Sequence, residues 1–130
     1  MILCLDYGSR YLGVAITDPD ERLALRHSVI DQKQVAALPV LQTIIDKERV
    51  TTIVVGVPIS LSGNESQQTK VSRNFIDMLK AAFPTLTFAE ADETLTSYEA
   101  EQRIKAEGGK PGDAHAEAAR LILETYLTRK

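Results

Sequence analysis

The chain has few of the residues that mark secreted, membrane-spanning or base-stacking proteins. It has one cysteine, Cys4, no Trp, and only 5% aromatic residues. A single cysteine allows no disulfide within the chain, which suits a reducing compartment, and scarce aromatics argue against a broad base-stacking platform. No apolar run approaches a membrane span, and Asp6 interrupts the first run too early for a signal peptide. We therefore expect a cytoplasmic protein without a membrane segment.

The chain also has fewer basic residues than acidic residues. The formal net charge is -3, so nucleic acid would have to be bound by a local patch and not by the molecule as a whole. Hydrophobic residues make up 44% of the chain and charged residues 25%, which is ordinary for a globular protein. The length of 130 residues predicts a single domain, 1–130, that is long enough to bury a core.

The apolar pattern predicts an α/β fold. Three early runs, at residues 2–5, 12–17 and 23–30, are separated by short turns and predict an antiparallel meander. Helical spacing then alternates with strand-like runs. The predicted elements are a helix from residue 38, a strand in TTIVVGV, a helix over 71–82, a strand over 86–91, and helices beginning at 96 and running through 116–127. This order predicts a mixed five-stranded sheet flanked by helices.

Acidic residues follow the ends of predicted strands. Asp6 ends the first strand, Asp92 and Glu93 follow the last, and Asp113 and His115 begin the final helix. These places can converge on one edge of a sheet whose first strand is central. Converging carboxylates repel one another unless a cation lies between them, and Mg²⁺ or Mn²⁺ prefers oxygen ligands of this kind. Two such ions can activate water and stabilise the leaving oxygen of a phosphodiester.

Each of these positions also has an ordinary structural explanation. An Asp-x-Gly sequence is common in turns, paired acids after a strand are typical of a solvated loop, and an Asp at a helix start is frequently an N-cap. The metal-site hypothesis therefore depends on the three positions together. We expect Glu117, one turn after Asp113, to be a solvated helix residue.

Several residues are candidates for substrate contact. Gly8 has no side chain and would let a phosphate reach Asp6, and Arg10 lies in the same turn. The loop at 60–66, which includes Asn64, ends near a predicted helix N-terminus, whose free N–H groups suit an anionic backbone. The candidates for a basic rim are Lys70, Arg73, Arg103, Lys105 and Lys110. The alternative explanation for the 60–66 loop is an ordinary strand-to-helix connection, and the alternative for the basic residues is a solvated surface position.

Four segments resemble the YqgF/RuvX family of Holliday-junction resolvases in the RNase H-like superfamily. They are LDYGSRYLGVAITD, VVGVPISLSGNES, DETLTSYEA and AARLILETYL, and the resemblance covers nearly the whole chain. It implies an RNase H-like fold, with Asp6 as the first metal-binding acid and Glu93, backed by Asp92, as the second. The family usually carries Arg after its Asp-Glu pair, where this chain has Thr94.

The third site residue stays open. Counting back from LILETYL, the family's helix-start Asp falls on His115, whereas a small shift at the helix start selects Asp113. Both positions lie on borders of the predicted apolar stripe. Asp113 is slightly favoured as a metal ligand, and His115 could ligate a metal or carry a proton.

The leading hypothesis is a divalent-metal-dependent nuclease that acts on structured nucleic acid. The resemblance implies either four-way junction DNA or precursor rRNA in 16S maturation. Cleavage of a junction needs two symmetrical cuts and so predicts a homodimer. Two other classes remain: a catalytically silent nucleic-acid-binding factor, and the nucleotide-binding module of an actin-like ATPase, which would need a second such domain.

Overall fold

A computed structural model describes residues 1–58, 66–93 and 96–129. Its elements are β1 (Ile2–Tyr7), β2 (Tyr11–Thr17), β3 (Ala24–Asp31), α1 (Ala37–Glu48), β4 (Thr52–Val57), α2 (Gln67–Ala82), β5 (Thr87–Asp92), α3 (Thr96–Ala106) and α4 (Ala114–Arg129), with a short 3₁₀ turn at Pro111–Asp113. Within these described ranges, none of the helices combines the length and apolar character needed to cross a membrane.

The five strands form one mixed sheet in the order β3-β2-β1-β4-β5. The first three strands pair antiparallel as a meander, and β4 runs parallel to both β1 and β5. The predicted mixed five-stranded sheet flanked by helices is therefore confirmed. Because β1 is the central strand, its end at Asp6 and Tyr7 lies in the middle of one edge of the sheet.

Side chains of β1 alternate between two cores on opposite faces of the sheet. Leu3 and Leu5 belong to the larger core, which includes buried residues of α1 and α2. Ile2 and Cys4 belong to a smaller core with Ala119, Ile122 and Leu123 of α4. Since Asp6 continues the series of residues 2 and 4, it lies on the face that α4 covers.

Helix α2 begins four residues before the apolar stripe predicted for it. Ser66 is its N-cap, and the Ser66 hydroxyl accepts a hydrogen bond from the Thr69 N–H at 3.1 Å. This local capping interaction extends the helix through a polar first turn that carries no apolar signal. The extension brings Gln68 to the edge where Asp6 lies.

An ion cluster joins α3, α4 and β3. The expectation that Glu117 is solvated is wrong: only 1% of this residue is exposed. Its carboxylate accepts hydrogen bonds from Arg120 at 2.6 and 2.7 Å and lies 3.0 Å from Arg26 Nε and 3.8 Å from Arg103 Nε. Burial opposes ionisation of Glu117, but these guanidinium groups outweigh it and lower the pKa of Glu117. A buried carboxylate is tolerated here because three cations compensate for its lost hydration.

Candidate active site

A pocket of about 280 Å³ opens at the end of the central strand. Asp6, at the end of β1, is only 9% exposed although it is an acidic residue. The described residues that line the pocket come from β1, the turn after it, α2, the end of β5 and the start of α4: Asp6, Tyr7, Gly8, Gln68, Glu93 and His115. The structure therefore brings together three positions that are far apart in the sequence.

Asp6 and Glu93 form a hydrogen-bonded carboxyl pair in this pocket. The pKa of Glu93 is raised to about 9, first because burial disfavours its charged form, and then through the hydrogen bond to Asp6 and the negative charges of Asp6 and Asp92. A protonated Glu93 thus donates to Asp6 at neutral pH. The proton offsets the repulsion that two adjacent carboxylates would otherwise have.

A glycine in β4 makes room for the Glu93 side chain. A Cβ atom at Gly56 would lie 2.9 Å from Glu93 Oε2 and 2.7 Å from Ile122 Cδ1. The Glu93 N–H donates to the Val57 carbonyl at 3.2 Å, so the backbone of Glu93 continues the pairing of β5 with β4. The position of Glu93 is therefore set by the sheet. Gly56 was not singled out as a site residue, although a glycine inside a strand of β-branched residues signals close approach of another group.

His115 reaches the pocket because a second glycine lets α4 approach the sheet. Gly13 is the cross-strand partner of Asp6, and a Cβ atom at this position would overlap the carbonyl oxygen of His115. The first turn of α4 is thus seated directly on β2, beside Asp6. The His115 ring also contacts the ring of Tyr11, with centroids 5.0 Å apart.

Asp113 occupies a different place from His115. It lies in the 3₁₀ turn before α4, where its Oδ2 accepts a hydrogen bond from the Lys110 N–H at 3.2 Å and its own N–H donates to the Lys110 carbonyl at 2.9 Å. It is exposed and is not among the described residues that line the pocket. The proposed metal-binding role of Asp113 remains a prediction, whereas the geometry puts His115 beside the carboxyl pair.

The turn after β1 holds two of the candidate substrate contacts. Gly8 lines the pocket, and its N–H donates to the Tyr11 carbonyl at 3.0 Å. A Cβ at Gly8 would lie 2.8 Å from the Tyr11 oxygen, so closure of the hairpin itself needs a glycine here. Arg10 forms a bidentate ion pair with Asp31, at 3.1 and 3.2 Å. Contact of either residue with substrate remains a prediction.

The other residues predicted to contact substrate are not among the described residues that line the pocket. Arg73 pairs with Glu90 at 3.3 and 3.4 Å, on α2 and β5. Arg103, expected on a basic rim, lies beside the buried Glu117. Asn64 falls outside the residues that the structure describes.

The pocket has properties that suit a divalent cation. Burial and the adjacent Asp6 raise the pKa of Glu93, so a positive charge between the two carboxyl groups would be favourable. None of the described lining residues is a Lys or Arg that would compete with a metal ion. Across the described residues, no group of three or more His, Cys, Asp and Glu side chains is close enough together to hold one ion. The donor set therefore fits an ion that keeps several waters and takes one or two carboxylates, as Mg²⁺ commonly does.

The mixed sheet order and the flanking helices define the chain as an α/β protein with an RNase H-like fold. Its fold is similar to that of RuvC from T. thermophilus in complex with a Holliday junction substrate, with a TM-score of 0.58, 13% identity, and 98% and 93% of the two chains covered. It is also similar to the Fowlpox virus resolvase solved with junction DNA, with a TM-score of 0.60, 9% identity, and 98% and 97% covered. At such identities the likeness concerns the fold alone.

The chain belongs to the RuvX family, described as Holliday junction resolvase, whose sequence profile matches residues 1–129. A relative from Maridesulfovibrio salexigens is 35% identical over 133 residues, which cover 98% of each chain. A relative from Chloroflexus aurantiacus is 36% identical over 134 residues, covering 98% of this chain and 86% of the relative. Both relatives carry the name "Putative pre-16S rRNA nuclease". The family resemblance and the fold it implied are thereby confirmed.

Proposed function

We propose that this protein is a divalent-metal-dependent nuclease that hydrolyses phosphodiester bonds in structured nucleic acid. The observation that carries the proposal is the meeting of the Asp6 and Glu93 carboxyl groups in a pocket at the end of the central strand. The buried carboxylate of Glu117, by contrast, is compensated by arginines. The carboxyl pair has no Lys or Arg among the described lining residues, which is the arrangement expected of a cation site. Membership of the RuvX family supports the same activity.

Asp6 and Glu93 would hold Mg²⁺ or Mn²⁺. The bound ion would supply activation of a water molecule and stabilisation of the leaving oxygen. For the third site residue we propose His115 in preference to Asp113, because His115 lines the pocket while the Asp113 carboxylate bonds to the backbone of Lys110. An imidazole can act as a ligand or as a proton carrier.

The walls of the pocket would position the substrate strand. Tyr7 is fixed by stacking on Phe75, with centroids 4.1 Å apart. Gln68 offers a side-chain amide in the first turn of α2, and the positive end of a helix dipole favours phosphate oxygens. Gly8 leaves the approach to Asp6 open, and Arg10 extends the same turn with a charge that could meet a phosphate.

Precursor rRNA is the substrate that we propose to test first. The relatives at 35% and 36% identity carry a pre-16S rRNA nuclease name, whereas the likeness to junction-bound resolvases concerns the fold. Activity on four-way DNA would require a homodimer, because each of two symmetrical strands must be cut. Both substrates are consistent with a cytoplasmic location, where the single cysteine would stay reduced.

A cleavage panel tests the proposal. Precursor 16S fragments, four-way junction DNA and plain duplex DNA are incubated with the protein in Mg²⁺, Mn²⁺ or EDTA. We expect metal-dependent cleavage of the first or second substrate, abolished in Asp6→Asn and Glu93→Gln. His115→Ala should lose more activity than the matched Asp113→Asn. Cleavage that persists in Asp6→Asn would refute the site assignment.

A silent nucleic-acid-binding protein is the second candidate. It is favoured by one observation: the described part of the pocket contains two carboxylates and no third. Substrate binding without cleavage under either metal would support this candidate.

A further inference from the structure

Four side chains form a continuous series of contacts that ends at the proposed active site. The Asp31 carboxylate holds Arg10 by two hydrogen bonds, at 3.1 and 3.2 Å. The Arg10 guanidinium lies 4.9 Å from the centroid of the Tyr11 ring. The Tyr11 ring in turn contacts the His115 imidazole, with centroids 5.0 Å apart and planes inclined by 31°. Tyr11 thus connects the pairing of β2 with β3 to the first turn of α4.

The sheet dictates this arrangement. Tyr11 and Gly13 point to the same face of β2 because side chains alternate along a strand. Gly13 brings the backbone of His115 onto that face, so the residue two positions earlier meets the His115 side chain. Asp31 is the cross-strand partner of Tyr11, which places its carboxylate next to Arg10. Each contact therefore follows from the strand register.

We infer that Tyr11 is a positioning residue that holds the His115 imidazole toward Asp6 and Glu93. Although this inference rests on the proposed role of His115, it concerns a residue that the proposal does not use. A histidine in the first turn of a helix has several accessible rotamers, and only some direct its ring into the pocket. A packed aromatic ring on one side reduces that choice. The Arg10–Asp31 pair limits the movement of Tyr11 in the same way.

Histidine NMR tests the positioning without any assumption about activity. The chain has only two histidines, His27 and His115, and exposed His27 on β3 contacts Ser28 at 2.9 Å, so it serves as an internal control. We expect an NOE between the Tyr11 and His115 rings in the unmodified protein. Tyr11→Leu should shift the His115 ring resonances by loss of the ring current, whereas Tyr11→Phe should leave them close to their original positions. His27 should not move in either variant.

Kinetics test the functional consequence. Tyr11→Leu should lower kcat by about two- to tenfold, the range that corresponds to loss of one aromatic contact, with KM nearly unchanged. Tyr11→Phe should restore kcat. Absence of the NOE overturns the inference even if Tyr11→Leu fails to fold. It is also overturned if Tyr11→Phe does not rescue kcat, or if His115→Ala cleaves as fast as the unmodified protein. A protein without nuclease activity would refute the proposed function, while the NOE and resonance shifts would still report on positioning.

Discussion

Replacing Glu93 by Gln should make the metal-free protein more stable at neutral and alkaline pH. In the folded state the pKa of Glu93 is about 9, against an ordinary value of 4.5, because the group is buried beside Asp6 and Asp92. Between these two values the folded protein holds a proton that the unfolded chain has lost. Stability of the unmodified protein must therefore fall as pH rises through this interval. A Gln at 93 donates a hydrogen bond to Asp6 without titrating, so the loss is avoided.

The size of the effect follows from proton linkage. One retained proton gives a slope of about 1.4 kcal/mol per pH unit. Over the interval from 4.5 to about 9, this slope sets a ceiling of about 6 kcal/mol. The pair opens onto solvent through the pocket, and solvent screening reduces the ceiling substantially. We expect Glu93→Gln to gain about 1–3 kcal/mol at pH 8 and little at pH 5.

Urea unfolding in EDTA at pH 5, 6.5 and 8 measures the difference. Glu101→Gln, which removes an exposed carboxylate of α3, is the control and should keep the slope of the unmodified protein. When Mg²⁺ replaces EDTA, it should stabilise the unmodified protein more than Glu93→Gln, because a carboxylate at position 93 binds the ion more strongly than a neutral amide does. Parallel pH slopes for the unmodified protein and Glu93→Gln would refute the reasoning.

Three further outcomes follow from the packing of buried residues. Gly56→Ala should weaken Mg²⁺ binding in calorimetry, because the new methyl group meets the Glu93 carboxylate and Ile122; unchanged affinity would show that Glu93 is not a ligand. Glu117→Gln should lower the free energy of unfolding by about 2–4 kcal/mol, since it removes the buried anion shared by Arg26, Arg103 and Arg120 and leaves only the outer partners Glu107 and Glu124. A variant of equal stability in urea would contradict this. Burial, with the charges of Asp6 and Glu93, raises the pKa of the Cys4 thiol well above its ordinary value. Cys4 should therefore react with a thiol reagent only at the rate of unfolding, and rapid labelling of the native protein would disagree with its burial.

The strands, the helices and their order were predictable because local periodicity carries that information. The alternating pattern and the β-branched runs of the five strands reflect burial on one face or on both. The proximity of Asp6 and Glu93 was also predictable, since the carboxyl ends of parallel strands lie at the same edge of the sheet. The roles of these two residues in catalysis remain predictions. The helix boundaries were not predictable from the apolar pattern, because a single capping interaction can extend a helix beyond its apolar stripe. Ser66 does this at the start of α2.

The burial of Glu117 could not be predicted from its helix position. A carboxylate near the border of an apolar stripe is normally solvated. Here its partners come from three elements: Arg26 from β3, Arg103 from α3, and Arg120 from α4 itself. Only Arg120, three residues on, lies within helical reach in the sequence. The other two partners are brought in by tertiary packing, so the compensation for burial is invisible in the sequence pattern.

The two strand glycines contain the signal for which residue, His115 or Asp113, lies beside Asp6. Periodicity places both residues on borders of the apolar face of α4, so it favours neither. Gly13 and Gly56 each interrupt a buried strand with a residue that has no side chain to pack, and such a glycine is expected where another group approaches the backbone. The register places Gly13 opposite Asp6. A helix seated on that glycine must bring its first turn, and therefore His115, beside Asp6, while the preceding 3₁₀ turn carries Asp113 away from it.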